Sequence, residues 1–298
     1  MMCLPLSRTV LAVLLLAGSA CGERPATFSP QPVSRTESSA KHVSQATPGV
    51  SVAPSSSVAP SASVAPPPSA PVPASPPSPR LPALPAHIQP GEPVVMKVPG
   101  DSPIHVFHAP ASSRRAMVYL HGVCGDILAI RSWAKAAAEF ATLIALYGDA
   151  PCRTQPGRYS WRDPLVTIQK RILHAVEIVA AAREGLLDRD SLTLFGYSQG
   201  AARAERLVEQ YPERYPYVIL GGPPTEPAAD PLGSAKAVVV IGGERENTDH
   251  MEAGAKALVS AGRRARFLVF PSASHGQFGP EASRVIREAL TWLYAEPD

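Results

Sequence analysis

The chain has 298 residues, of which 45% are hydrophobic and 18% charged, with a formal net charge of +3. No run of Lys and Arg exceeds two residues, so the basic stripe that nucleic-acid binding needs is missing. Of the 34 prolines, 19 precede residue 95, and the remaining 200 or so residues suffice to bury the core of one domain.

The N-terminus reads as a targeting segment. Arg8 supplies positive charge, and Thr9 to Ala17 is an apolar run too short to span a bilayer, which takes roughly 20 residues. Gly18, Ser19 and Ala20 are small and directly precede Cys21, which gives an export signal over residues 1–20. Small residues before a cysteine also resemble a bacterial lipobox, which implies lipidation of Cys21 and a membrane-anchored protein in the cell envelope. Gly18 stands where that pattern has a branched aliphatic residue. Plain cleavage after Ala20, giving a secreted or periplasmic soluble protein, is the rival reading.

Residues 21–92 are rich in Pro, Ala, Ser and Val, with Ser-Val-Ala-Pro repeated at Ser51, Ser57 and Ser63. Such a composition cannot bury enough surface to offset its ordering entropy, so a disordered tether is expected. Proline-rich chain extends at about 3.1 Å per residue, giving a reach of up to roughly 200 Å.

From residue 93 to the C-terminus, strand and helix patterns alternate. Short strands are expected over 94–98 and 104–107, and a buried strand over 116–120 that ends at His121-Gly122. A helix is expected over 132–140 and a strand over 142–147. Residues 148–164 read as a long loop holding Cys152, Tyr159 and Trp161. Leu165, Ile168, Ile172, Val176 and Val179 recur at helical spacing, and Gly185 marks that helix's end. A strand over 191–195 then leads through a Gly-rich turn into a helix over 201–211. Strands over 217–220, 237–241 and 266–270 alternate with helices over 252–261 and 281–294. Strands alternating with helices imply a mostly parallel sheet covered on both faces, an α/β fold.

Gly196-Tyr197-Ser198-Gln199-Gly200 matches G-x-S-x-G. The pattern alone is weak. Its place between an apolar strand and an alanine-rich helix is the setting a nucleophile elbow requires. A tight turn there holds the serine out, with glycines two residues to either side relieving the crowding. A serine hydroxyl needs a base. His42 and His87 fall in the tether, His105 and His108 at an early strand, His174 within a helix and His250 near a helix start. His275 follows the last strand by a short loop, where a parallel sheet presents residues on the same edge as Ser198.

The orienting carboxylate is expected after the strand that precedes the histidine strand. Glu246 is the first choice there, with Asp249 and Glu244 as alternatives. The order serine, acid, histidine is the α/β-hydrolase order. The oxyanion donors are expected to be the backbone N–H of Gln199 and that of Val123, with Cys124 as the alternative.

These residues resemble the α/β-hydrolase superfamily. Leu120-His121-Gly122, the Gly196–Gly200 elbow and Ser274-His275-Gly276 carry the likeness in order, over about two thirds of the chain. The Tyr-Ser-Gln elbow looks like those of carboxylesterases, cutinases and dienelactone-hydrolase-like enzymes. The resemblance implies one domain with eight core strands and a serine hydrolase that cleaves carboxylic esters of small molecules or polymers through an acyl-enzyme. A serine peptidase of the same fold is the first alternative, and a surface lipoprotein that binds without turnover is the second.

Cys124 and Cys152 are left as a pair once Cys3 and Cys21 are set aside. Two free core thiols are one outcome. In the fold implied by the resemblance, their loops follow neighbouring strands, and a disulfide would staple the oxyanion loop to the Cys152 loop. Tyr159 and Trp161 either line the acyl or alcohol pocket or anchor their loop. No H-E-x-x-H, C-x-x-C or Walker pattern occurs, so neither a metal nor a nucleotide cofactor is expected.

Overall fold

The structure is a computed structural model and describes residues 83–296. The chain divides into units 1–73 and 74–298, and the described residues fall in the second. The export segment, Cys21 and the tether up to residue 82 lie outside the described residues. Ile88 and Gly91, within the stretch read as tether, pack on the domain: Ile88 is buried and Gly91 N–H donates to His108 O at 2.9 Å. Among the described residues, no helix is long and apolar enough to cross a membrane.

Among the described residues there are ten strands and five α-helices. The strands are β1 (Pro93–Met96), β2 (Ile104–Phe107), β3 (Ala116–Leu120), β4 (Thr142–Leu146), β5 (Ala150–Pro151), β6 (Tyr159–Ser160), β7 (Leu192–Tyr197), β8 (Tyr217–Gly221), β9 (Ala237–Gly243) and β10 (Ala265–Phe270). The helices are α1 (Ala134–Ala138), α2 (Leu165–Ala182), α3 (Gln199–Gln210), α4 (Asp249–Ser260) and α5 (Ala282–Tyr294). Eight strands make one sheet in the order β1-β2-β4-β3-β7-β8-β9-β10. Within this sheet the β1–β2 and β2–β4 pairings are antiparallel. From β4 to β10 every neighbour is parallel. This sheet and its flanking helices fit an α/β-hydrolase fold.

The central strands are apolar on both faces because both are covered. Met117 and Tyr119 of β3 point to the side of α1 and α5, while Val118 and Leu120 point to the side of α2, α3 and α4. In α2, Ile168, Ile172, Val176 and Val179 are buried at the expected spacing. Gly185, at φ +79°, then closes the helix with its N–H on Ala180 O at 2.9 Å.

Three local expectations differ. The helix expected over 132–140 is split into a 3₁₀ turn over Ile127–Ser132 and the short α1, because Asp126 accepts from Leu128 N–H and starts the turn early. The loop 148–164 is a small antiparallel hairpin, β5 with β6, rather than irregular throughout. Strand β7 also runs two residues further than its apolar run, through Gly196 and Tyr197, and delivers Ser198 beyond the sheet edge.

Candidate active site

Ser198 lies between β7 and α3 at φ +51° and ψ −115°. That left-handed backbone is costly for a non-glycine residue, and it persists only where the surroundings over-determine it. The two flanking glycines show how. A Cβ on Gly196 would stand 2.2 Å from Gly200 O, and a Cβ on Gly200 would stand 2.0 Å from Leu120 O. The second contact is with the end of β3. The turn is therefore compressed against the neighbouring strand as well as against itself.

His275 reaches Ser198 from the loop after β10. Its Nε2 lies 2.9 Å from Ser198 Oγ, and its Nδ1 lies 2.6 Å from Glu246 Oε2. Glu246 in the ionised state only accepts, so Nδ1 carries the proton and Nε2 keeps a lone pair for the serine hydroxyl. The other oxygen of Glu246 accepts from Gly243 N–H at 2.6 Å. Of the three acids considered, only Glu246 is bonded to His275. Glu244 accepts from Ser272 N–H at 2.6 Å, and Asp249 is an exposed residue opening α4. The His275 loop is itself held: Gly276 N–H donates to the Tyr197 hydroxyl at 2.8 Å, and the Tyr197 ring lies 5.6 Å from the imidazole.

On the other side of Ser198 is the loop after β3. The N–H groups of Val123 and Gln199 have no acceptor among the described residues. Cys124 N–H, by contrast, donates to Ser160 Oγ at 3.1 Å. Of the two loop amides considered, the structure leaves that of Val123 available. A Cβ on Gly122 would stand 3.1 Å from Ser198 Cβ, so this loop rides directly over the serine.

Three restraints fix the loop. Cys124 and Cys152 form a disulfide with their Cα atoms 5.7 Å apart, which closes the free-thiol alternative. Gly125 bridges to Tyr159 of β6. His121, buried, donates from Nδ1 to Gly122 O at 2.8 Å while its Nε2 accepts from Gly148 N–H at 2.9 Å. That pair of partners fixes the tautomer, and burial lowers the His121 pKa and keeps the ring neutral.

Trp161 and Tyr159 act as anchors and not as walls of the serine's pocket. Trp161 is fully buried and donates from Nε1 to His121 O at 2.8 Å. Its backbone is gripped by the Gln199 side chain: Trp161 N–H donates to Oε1 at 2.9 Å, and Trp161 O accepts from Nε2 at 3.2 Å. Gln199 thus offers its backbone N–H beside Ser198 while its side chain ties the hairpin to α3. Sequence reasoning treated Gln199 only as an amide donor and missed this second contact, along with the roles of Tyr197, Ser160 and His121. The only sequence signal was proximity, since all four flank a motif residue or a cysteine loop.

The pocket at Ser198 measures about 290 Å³. Tyr119, Ala129, Tyr197 and Phe278 give it apolar walls, and Asp126 and Arg158 add charge. Among the described residues, no group of three His, Cys, Asp or Glu side chains could hold a metal ion.

No family model matches the chain, and no curated protein does either. Solved structures do. The chain is similar to esterase PE8, at 19% identity and a TM-score of 0.49, over 63% of this chain and 97% of that one. It is similar to dienelactone hydrolase from Anabaena variabilis ATCC 29413, at 17% identity and a TM-score of 0.47, over 67% and 95%. It is also similar to a dipeptidyl aminopeptidase IV-like protein from Bacteroides ovatus ATCC 8483, at 14% identity and a TM-score of 0.46. That match covers 68% of this chain but spans only 35% of the other. At these identities the likeness is one of fold.

Proposed function

We propose that the protein is a serine hydrolase that cleaves carboxylic ester bonds through an acyl-enzyme. The observation that carries the reading is the continuous line from Ser198 Oγ through His275 to Glu246, with spacings of 2.9 and 2.6 Å. Ser198 Oγ attacks the ester carbonyl carbon while His275 Nε2 takes its proton. The carbonyl oxygen becomes an oxyanion facing the free N–H groups of Val123 and Gln199, and the start of α3 favours that charge. Collapse of this intermediate breaks the bond to the alcohol oxygen, and the alcohol leaves with the proton from His275. Water then adds to the acyl carbon, gives its proton to His275, and the acid departs as Ser198 recovers its hydrogen.

The disulfide is compatible with an oxidising compartment, where such bonds persist. The test is intact-mass analysis of the protein after exposure to a fluorophosphonate, with Ser198→Ala alongside. One adduct on the wild type and none on the variant is the expected result. No adduct on folded wild-type protein refutes the hydrolase reading and favours a binding role. Turnover of aminoacyl anilides in place of nitrophenyl esters would move the reaction to peptide bonds.

A further inference from the structure

Tyr119 sits on β3, two residues before the loop that carries Val123, and is only 2% exposed. Its ring is fixed edge-on against Trp133 at 5.4 Å and Phe195 at 5.2 Å. Its hydroxyl has no hydrogen-bond partner among the described residues. A buried tyrosine ordinarily finds one, as Tyr215 does on Gln169 and Tyr294 does on Thr193. Nor is the hydroxyl sealed away. The sealed, partnerless side-chain atoms among the described residues are His108 Nδ1, Trp133 Nε1 and Arg171 Nη1. Tyr119 Oη is not one of them. Since Tyr119 lines the Ser198 pocket, the little surface it keeps faces that pocket, and the hydroxyl is part of it.

The neighbours of this hydroxyl matter. Ala129, Tyr197 and Phe278 offer apolar surface, Asp126 lies near enough for its charge to act on the hydroxyl, and Tyr197 Oη accepts from Gly276 N–H. Burial raises the Tyr119 pKa, so the group stays a neutral donor and acceptor across the working pH range. At about 290 Å³ the pocket is at the small end of ligand clefts, which run roughly 300–1,000 Å³. It encloses one compact group at a time.

We propose that Tyr119 is a specificity-determining residue that hydrogen-bonds a hydroxyl on the pocket-bound part of the substrate, so that the substrates are small esters of hydroxylated acids or hydroxylated alcohols. This rests on the hydrolase reading above. A plain hydrocarbon group in the pocket would strip the Tyr119 hydroxyl of water and give nothing back. A hydroxylated one restores the bond. A site built to pair a substrate hydroxyl discriminates against the analogue lacking it, because its own buried polar group is then left unpaired. The expected preference is about 5- to 100-fold.

The test uses the full chain, wild type and Tyr119→Phe, on three matched ester pairs: ethyl butyrate with ethyl 3-hydroxybutyrate, ethyl benzoate with ethyl 4-hydroxybenzoate, and benzyl acetate with 4-hydroxybenzyl acetate. The substitution removes one oxygen that holds no protein group. The readout is the ratio of kcat/KM within each pair, compared between the two proteins, which cancels differences in intrinsic ester reactivity. In at least one pair the wild-type ratio should exceed that of Tyr119→Phe by about fivefold or more. Unchanged ratios in all three pairs overturn the assignment and leave the hydroxyl to solvent. So does failure to turn over any pair by protein that takes up a fluorophosphonate. Absence of the fluorophosphonate adduct itself is the separate failure of the hydrolase reading.

Discussion

Glu246 and His275 differ in their access to water: the carboxylate side chain is 10% exposed and the imidazole 49%. The acid is thus shielded and bound through both oxygens, to His275 and to Gly243 N–H, whereas the base opens onto the pocket. A shielded carboxylate orients the ring and stabilises the imidazolium that forms during attack. Glu246→Gln keeps the size but removes the charge, so kcat/KM should fall by roughly 10⁴-fold, as loss of a triad carboxylate's charge does. Asp249→Asn should change it less than about twofold. Steady-state kinetics on one nitrophenyl ester decides, and equal losses in the two variants would remove Glu246 from its assigned role. Ser198 was legible because it sits in a turn whose flanking glycines leave no room for a Cβ, and His275 because it falls in the loop after the last strand, on the same sheet edge. The acid was narrowed to three because loop length after β9 does not fix where a side chain points. Tyr119 was hidden for another reason. In a strand buried on both faces, a residue facing the core and one facing a cavity follow the same apolar pattern.

The hairpin of β5 and β6 links two sides of the site. Toward β3 it holds the Val123 loop through the Cys124–Cys152 disulfide, the Cys124 N–H bond to Ser160 and the Gly125–Tyr159 bridge. Toward α3 it is held by Gln199, whose own N–H faces Ser198. Both proposed oxyanion donors therefore hang on one short element, which the sequence presented as a long loop holding Cys152, Tyr159 and Trp161 because its strands are two residues each. Replacing Cys124 and Cys152 together with serine should cost about 3–4 kcal/mol of stability for a loop of this length. It should also slow fluorophosphonate labelling of Ser198 by about tenfold, a fraction of the ~10²–10³ that one oxyanion donor is worth. Urea unfolding and labelling rates measured on the same samples separate the two effects. Lower stability with an unchanged labelling rate would mean that the hairpin braces the fold and does not position Val123.

At the scale of the whole domain, buried histidines with lowered pKa tie stability to pH: His121 in the loop after β3, and His108, the more strongly shifted. His108 follows β2, is 1% exposed, and has its Nδ1 sealed without a partner. Burial first, then the positive charge of Arg183 and the nearby His87, lower its pKa from 6.5 to about 4. Arg183 cannot move away. It is buried between α2 and the 109–113 segment, donating to the carbonyl oxygens of Leu186, Ala109, Pro110 and Ser113. The native state therefore binds a proton at His108 only near pH 4, whereas the unfolded chain binds one near pH 6.5. Below pH 6.5 the unfolded state holds more protons, so stability falls as pH falls through that window and levels off below about 4. The full loss is about 3 kcal/mol. His108→Leu removes the titrating group and the sealed nitrogen together. Urea unfolding at half-unit steps from pH 7 to pH 4 should show the wild type losing stability faster than the variant, with the gap opening below pH 6.5. Parallel curves would mean that water reaches His108 in the native state. The fold would then owe its acid sensitivity to carboxylates such as Glu139, whose pKa the Arg287 hydrogen bond lowers and whose pairing joins the end of α1 to α5.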